Sequence, residues 1–240
     1  MPIFEVTKGN DPFLSVHLGQ GESINAASGA MVTMTMSLIL SGNLKGGIIR
    51  SWLRKAAQGD SAFLQVIRAT SYPGDIVLAP SLPGDIKIFE LAEGQDLLIN
   101  DGCYLASSST VELTSKLQGA GKAMFGGTGG FVIMRAAGPG TVAISGFGSI
   151  TERNMRAEEA IFDHRHVVAW QSGIKYELAT LSSNQGLLAG LFRGMTSGEG
   201  IVNRFYGTGK INICSRNRDD LLEWVSKGLK KGNKTPSGQK

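Results

Sequence analysis

The feature of the sequence that most constrains the fold is a strand–turn–strand pattern that occurs three times. In each copy, two apolar runs flank a short turn containing glycine, and Gly74, Gly140 and Gly209 stand 66 and 69 residues apart. Proline precedes the first two of these glycines; proline sets φ at about −65° and glycine supplies a positive φ next. The pattern therefore predicts three β-hairpins. The stretches are FLQVIRATSYPGDIVLA, GFVIMRAAGPGTVAIS and GIVNRFYGTGKINIC.

Other features recur upstream of each predicted hairpin in the same order. A short glycine-rich segment with apolar and basic residues precedes the hairpin, and a further possible pair of strands precedes that segment. Such recurrence indicates an internal repeat. We therefore predict an all-β fold, an antiparallel β-sandwich or barrel-like body of three repeats, about 1–91, 92–150 and 151–216. The possible strand pairs are SINAASGAMVTMTMSL, LLINDGCYLASSSTVEL and AIFDHRHVVAWQSGIKYEL.

A Pro-Gly-Asp-Ile stretch occurs twice, at residues 73–76 and 83–86. Gly84 would form the next turn, because Ile86–Leu91 alternates apolar and polar residues as a half-buried strand does. The alternative is a loop that grips phosphate or a metal. An interval of one strand plus one turn favours the structural interpretation.

The C-terminal region predicts one helix over residues 217–231. Asn217 can cap this helix, and Asp219 and Asp220 would lie at the positive end of its dipole. Its stripe of leucine, valine and tryptophan residues would dock on the β body and close the chain. Residues 232–240 are predicted to be a flexible basic tail.

The positive charge of the chain is concentrated in the C-terminal region. Residues 216–240 contain seven Lys or Arg and three Asp or Glu, which accounts for the whole net charge of +4. Such a tail can contact nucleic acid or anionic lipid, or it can be a solvated helix end. The amphipathic basic segments 46–57 and 185–193 predict either short core-packed helices or peripheral membrane contact.

Three arginines occupy nearly matching places in the predicted hairpins: Arg68, Arg135 and Arg204. On one side of a ring they would form a repeated basic feature for nucleic acid. As outward strand positions they would instead pair with neighbouring side chains. Aromatic residues are 7% of the chain and charge outside the tail is balanced, so pairing is favoured over nucleic-acid binding.

The sequence contains no complete catalytic or cofactor motif. Gly119–Lys122 resembles the end of a phosphate-binding loop but lacks the earlier glycine and the following Ser or Thr. His164 and His166 are the sharpest metal candidates, because alternate positions of a strand face one side. Only one other histidine exists, so we predict no catalytic residue, no metal, no cofactor and no enzyme activity.

Cys103 and Cys214 lie among apolar or small residues and are predicted to be buried free thiols. No secretory signal is recognised at the N-terminus, and the longest apolar region is interrupted by arginine and glycine. These features predict a reduced, cytoplasmic setting.

Three stretches together resemble the altered-inheritance-of-mitochondria protein 24 family, over about residues 3–226. The resemblance implies a fold similar to the tryptophan RNA-binding attenuation protein, built of packed antiparallel sheets and assembled as a ring-like homotrimer. It implies no catalytic residues, and fungal relatives are associated with mitochondrial inner-membrane organisation. The stretches are GDSAFLQVIRATSYPGDIVLAPSLPGDIKIFEL, HVVAW at 166–170 and SGEGIVNRFYGTGKINICSR at 197–216.

The predicted function is that of a non-catalytic oligomeric scaffold or interaction protein, with possible contact to membranes. Two alternatives stay open at this stage. One is a nucleic-acid-binding ring, and the other is a cupin-like protein that binds a metal or small molecule through His164 and His166.

Overall fold

The computed structural model describes residues 1–41, 64–118, 131–180 and 201–232. These residues form strands in antiparallel sheets with one C-terminal helix, so the predicted all-β class is confirmed. The described strands are β1 (Ile3–Val6), β2 (Leu14–Leu18), β3 (Ser23–Ala27), β4 (Met31–Met34), β5 (Leu38–Ser41), β6 (Leu64–Ala69), β7 (Gly74–Leu78), β8 (Ile86–Leu91), β9 (Asp96–Ile99), β10 (Tyr104–Ser108), β11 (Glu112–Gln118), β12 (Phe131–Ala137), β13 (Gly140–Ser145), β14 (Ile150–Asp163), β15 (Val167–Gln171), β16 (Lys175–Thr180) and β17 (Ile201–Cys214). A 3₁₀ turn (His164–His166) joins β14 to β15, and helix α1 (Arg218–Gly232) follows β17.

The strands form three sheets. The first has the order β1-β2-β7-β4, and the second has the order β5-β6-β3-β10-β13-β8. The third has the order β11-β12-β9-β15-β17-β14, with β16 also paired to β17. Strands distant in sequence therefore lie side by side, and loops from different parts of the chain meet at the sheet ends.

The prediction of three β-hairpins is wrong. Strands β6 and β7 flank the first predicted turn but belong to different sheets, as do β12 and β13 at the second. The third stretch is one continuous strand, β17. Apolar runs around a turn mark where strands lie, but they do not decide which strands pair, and in a layered β protein the chain can change sheets at such a point.

The partners of these strands recur in one order along the chain. Strand β7 lies between β2 and β4, and β6 lies between β3 and β5. In the next segment, β13 lies between β8 and β10, and β12 between β9 and β11. Strand β17 likewise lies between its partners, with β14 on one side and β15 and β16 on the other. The internal repeat with boundaries near residues 91, 150 and 216 stays a prediction.

The four glycines predicted to form turns have different places in the fold. Gly74 and Gly140 are the first residues of β7 and β13, and Gly209 lies inside β17 rather than in a turn. Gly84 lies in a bend before β8, where it forms an isolated bridge with Gly148. Gly84 has a φ of +152°, and a Cβ there would clash with the surrounding backbone. Close backbone approach therefore explains this glycine.

The core consists of clusters of buried apolar residues on the faces of the sheets. One cluster joins the first two sheets and includes Leu14, Val16 and Leu18, which alternate along β2 and are fully buried. In the third sheet, Trp170 packs edge-on against Phe205, with ring centroids 5.3 Å apart. Alternating apolar residues thus produce buried sheet faces, as the sequence pattern predicted.

Helix α1 begins as predicted but does not dock as predicted. The side-chain Oδ1 of Asn217 accepts a hydrogen bond from the backbone N–H of Asp220 at 2.8 Å, which is an N-cap contact. The predicted docking of its apolar stripe is wrong, because those side chains are exposed. Polar contacts at the first turn, including Arg165 Nη1 to Asp220 at 3.1 Å, join the helix to the body.

Several predicted features lie outside the described residues. These are the amphipathic segments 46–57 and 185–193, the stretch Gly119–Lys122 and most of the tail at 232–240. Across the described ranges, no helix is both long enough and apolar enough to span a bilayer.

Candidate functional site at the base of helix α1

The two candidate histidines lie in the 3₁₀ turn between β14 and β15, not on a strand. The carboxylate of Asp163 accepts a hydrogen bond from the backbone N–H of Arg165 at 2.9 Å. It accepts another from the guanidinium group of Arg165 at 2.7 Å. Burial raises the pKa of Asp163, but hydrogen bonds and charge from Arg165 outweigh burial, and the pKa lies below its ordinary value. The turn is therefore held by an internal ion pair.

His166 uses both ring nitrogens within the fold. Its Nε2 lies 3.2 Å from the Asn217 side-chain amide nitrogen, which is a donor, so Nε2 accepts. Its Nδ1 therefore carries the proton that is donated to the carbonyl of Cys214 at 2.8 Å. This neutral tautomer ties the 3₁₀ turn to the end of β17 and to the cap of α1.

His164 is partly buried, and burial lowers its pKa below the ordinary value. The imidazole is therefore mainly neutral at neutral pH. In the part of the chain that the structure describes, no group of three or more His, Cys, Asp or Glu side chains is arranged to hold a metal ion. The two histidines thus lie in one turn, but the described residues around them are not arranged as a metal-ligand set.

Two adjoining cavities lie beside this turn, where β9 and β13 end and where β10 and α1 begin. Their volumes are about 460 and 510 Å³, within the usual range for small-molecule sites. We call them together the α1 cleft. The residues that line both cavities are Ser81, Asn100, Asp101, Gly102, Ser145 and Arg218.

Asn100 is the most buried polar residue shared by the two cavities, with 7% of its surface exposed. Its Nδ2 donates to the carbonyls of His164 at 3.1 Å and Val167 at 2.8 Å. These two acceptors fix the amide orientation, because the flipped amide would place Oδ1 against both carbonyls. Oδ1 has no hydrogen-bond partner among the described residues. Our sequence reasoning missed Asn100, although an Asn-Asp-Gly stretch after an apolar strand marks a turn.

Arginines at the cleft fall into two groups. Arg165 is neutralised by Asp163 and Asp220. Arg216 and Arg218 are exposed and, within the described residues, neither forms an ion pair. Two carboxylates, Asp101 and Asp219, also line the cleft, so the two arginines without an ion pair are matched by an equal number of carboxylates.

Two cysteines line the inner end of the cleft. Cys103 and Cys214 are both free, Cys214 is buried and Cys103 is partly buried. Burial raises the pKa of both thiols above the ordinary value. Protonated thiols are poor nucleophiles, so these side chains act here as packing groups; Cys214 Sγ donates to the carbonyl of Arg216 at 3.1 Å.

A continuous apolar face on α1 is the second candidate feature of this region. Trp224 is 74% exposed and Leu229 is 71% exposed. Their helix positions, with those of Leu221, Leu222 and Val225, lie within one half of the helix circumference, opposite Glu223 and Lys227. Sequence reasoning identified this stripe but assigned it to the core.

The three matching arginines are not a shared basic surface. Arg135 pairs with Asp96 at 2.7 Å, and Arg204 pairs with Glu159 on the neighbouring strand. Arg68 is exposed on β6. Because two of the three guanidinium groups are neutralised by neighbours, cross-strand pairing describes them better than a nucleic-acid surface does.

Comparisons with known proteins agree with the sequence resemblance. A family model described as mitochondrial biogenesis AIM24 matches residues 4–216. An uncharacterized protein of Streptococcus pyogenes serotype M6 is 32% identical over 224 residues, which cover 91% of this chain and 87% of that protein. A crystal structure of a Streptococcus pyogenes protein has a TM-score of 0.73 and 28% identity, covering 96% of this chain and 99% of that chain.

The family match begins at the second residue of β1, includes the other described strands and ends two residues before α1. The resemblance predicted from the sequence is therefore confirmed for the β body. From a match over most of its length, the chain belongs to the mitochondrial biogenesis AIM24 family.

Proposed function

We propose that the protein is a non-catalytic, homo-oligomeric interaction protein that binds anionic membrane surfaces through α1. The exposed apolar face of this helix carries the proposal. Five large apolar side chains on α1 are 36% to 74% exposed, which is unusual for one face of a helix in a folded protein. An amphipathic helix of this kind can bury its apolar side chains at the boundary between headgroups and acyl chains.

The charge of the same region supports an anionic partner. Residues 216–240 carry seven Lys or Arg against three Asp or Glu. Basic residues near an anionic bilayer each contribute about 1 kcal/mol to attraction. Apolar burial and charge attraction would therefore act together on one short segment.

Self-association is supported by the first sheet. Ile3, Phe13, Met31 and Val32 lie in or beside this sheet and are 40% to 55% exposed. Among the described strands, β4 pairs only with β7, so its other edge is available to a second copy. Closed cyclic assembly would cover such edges, and a trimer is the assembly that the family resemblance implies.

Vesicle co-sedimentation of the full chain tests the proposal. The wild type should bind vesicles of phosphatidylcholine mixed with phosphatidylglycerol, and Leu222→Ser with Leu229→Ser should weaken binding about tenfold or more, because two apolar side chains are lost. Trp224 fluorescence should shift to shorter wavelength on binding, and Trp224→Phe should remove that shift.

A matched control replaces exposed apolar residues outside α1, Met36→Ser with Tyr72→Ser, which are 100% and 71% exposed. This variant should bind as the wild type does. No vesicle binding by the wild type, or equal loss in the control variant, would count against the role of α1. A monomer mass by light scattering at micromolar concentration would count against the oligomer.

A further inference from the structure

We infer that the α1 cleft binds a phosphate ester that carries hydroxyl groups. The inference depends on three features: a buried acceptor and two guanidinium groups that have no partner among the described residues, and cavities of small-molecule size. It is independent of the exposed face of α1, because none of the five apolar side chains of that face lines either cavity.

The buried acceptor points to a donor on the ligand. Oδ1 of Asn100 has no partner among the described residues, although the Asn100 side chain is more than nine-tenths buried. A buried acceptor without a donor costs about 1–3 kcal/mol. A ligand hydroxyl that donates to Oδ1 would remove this cost, since Nδ2 is already engaged by two carbonyls. Because Oδ1 is closed off from solvent in the free protein, the lining side chains must shift for this contact to form.

The guanidinium groups point to the charge of the ligand. Arg216 lines one cavity and Arg218 lines both. Guanidinium groups bind phosphate oxygens in a two-pronged geometry. Asp101 and Asp219, which also line the cleft, would accept hydrogen bonds from further ligand hydroxyls and disfavour a bare anion.

The remaining walls set the shape of the site. Tyr104, Leu105 and Met134 give the first cavity an apolar wall, and Phe147 and Val167 do the same in the second. A small molecule with a carbon skeleton between its phosphate and hydroxyl groups fits such a lining. A phosphate ester with free hydroxyl groups occurs in free phosphorylated polyols, as a monoester, and in the glycerophosphate headgroup of anionic lipids, as a diester.

Calorimetric titration of the full chain with glycerol 3-phosphate and with inorganic phosphate tests the inference. Glycerol 3-phosphate should bind saturably and about tenfold more tightly than phosphate, because only the ester has hydroxyl groups. Arg216→Gln with Arg218→Gln should weaken binding of both probes at least tenfold. Asn100→Ala should remove the advantage of the ester over phosphate.

Two further variants separate a lost site from a damaged fold. Ser81→Trp adds bulk at an exposed bend that lines both cavities and should block both probes without removing a buried hydrogen bond. Arg68→Gln with Arg153→Gln removes the same charge away from the cleft and should leave binding unchanged. Equal loss in this charge control would overturn the inference.

Vesicles distinguish the two sources of the ligand. If the source is a lipid, glycerol 3-phosphate should compete with phosphatidylglycerol vesicles, and the Arg216→Gln, Arg218→Gln variant should lose more vesicle binding than the charge control. If the source is a free metabolite, vesicle binding should not respond to glycerol 3-phosphate. Absence of saturable binding to glycerol 3-phosphate at millimolar concentration, with no cleft-specific effect on vesicle binding, would refute the site.

Discussion

Strands β10 and β13 and helix α1 differ completely in burial. Every residue of β10 and β13 is buried, whereas α1 exposes its apolar side chains. The strands lie inside the second sheet and have paired neighbours on both sides. The described contacts of α1 with the body are polar and lie at its first turn. The β body is therefore stabilised by burial, while α1 depends on local interactions and on whatever it binds.

This difference has a thermodynamic consequence. An isolated helix of the length of α1 is marginal in water, because nucleation is costly and most helix stability in proteins comes from packing. Changes in the β body should alter global unfolding, whereas changes in α1 should alter local opening and binding. Pairs of identical substitutions in the two regions can test this separation.

The largest difference is expected when one tryptophan of the β body and one of α1 are each replaced by alanine. Trp170 is fully buried against Phe205 and Tyr176, and Trp224 is 74% exposed. Trp170→Ala should lower the free energy of unfolding by about 3–5 kcal/mol, because it leaves a large cavity. Trp224→Ala should change it by about 0.5 kcal/mol or less.

Urea unfolding followed by far-ultraviolet circular dichroism measures both tryptophan variants. Phe205→Leu is a milder companion that should fall between them. If Trp224→Ala destabilises the protein as strongly as Trp170→Ala does, then α1 packs on the body in solution and the comparison fails.

Sequence patterns predicted the β class and the start of α1 because both depend on local physics. Alternating residues such as Leu14, Val16 and Leu18 mark a half-buried strand wherever its partners are. Partners depend on which sheet accepts a strand after a turn, and no local pattern around Gly74 or Gly140 encodes that choice. The predicted hairpins failed for this reason.

The candidate site was predicted less well than the fold. His164 and His166 were identified because histidine is rare in the chain, but the structure places them in a 3₁₀ turn with His166 fully hydrogen-bonded. Asn100 was missed because an asparagine in a turn is ordinary. Its significance depends on the burial of its side chain and on the two hydrogen bonds that Nδ2 donates, and both depend on the three-dimensional fold. An amphipathic pattern shows which side of a helix is apolar, but it does not show whether the rest of the protein covers that side. The exposure of the apolar face of α1 was therefore also missed.

An intermediate effect is expected from two glycines with opposite surroundings. Gly140 has a φ of +145°, and a Cβ there would press against Ser108, Thr110 and Val111. Gly228 lies in α1 with nothing within 4 Å of such a Cβ. Gly140→Ala should cost about 2–4 kcal/mol through strain and overpacking.

Gly228→Ala should instead favour α1 by about 1 kcal/mol without changing global unfolding. Hydrogen exchange of the α1 amides should slow about fivefold, while the urea midpoint stays constant. A rise in the urea midpoint equal to the gain in helix stability would show that α1 unfolds together with the body.

The smallest effect is a pH dependence at the turn that joins the two regions. Burial lowers the pKa of His164 below its ordinary value of 6.5, more than nearby Asp163 raises it. The unfolded chain therefore binds this proton more readily than the folded chain. The stabilising contribution is fully present above about pH 6.5 and is lost as the pH falls towards the lower folded pKa.

Thermal unfolding at pH values from about 7.5 to 5 should show a smaller loss of Tm for His164→Gln than for the wild type. An unchanged slope in His164→Gln would show that burial of His164 does not couple this turn to folding.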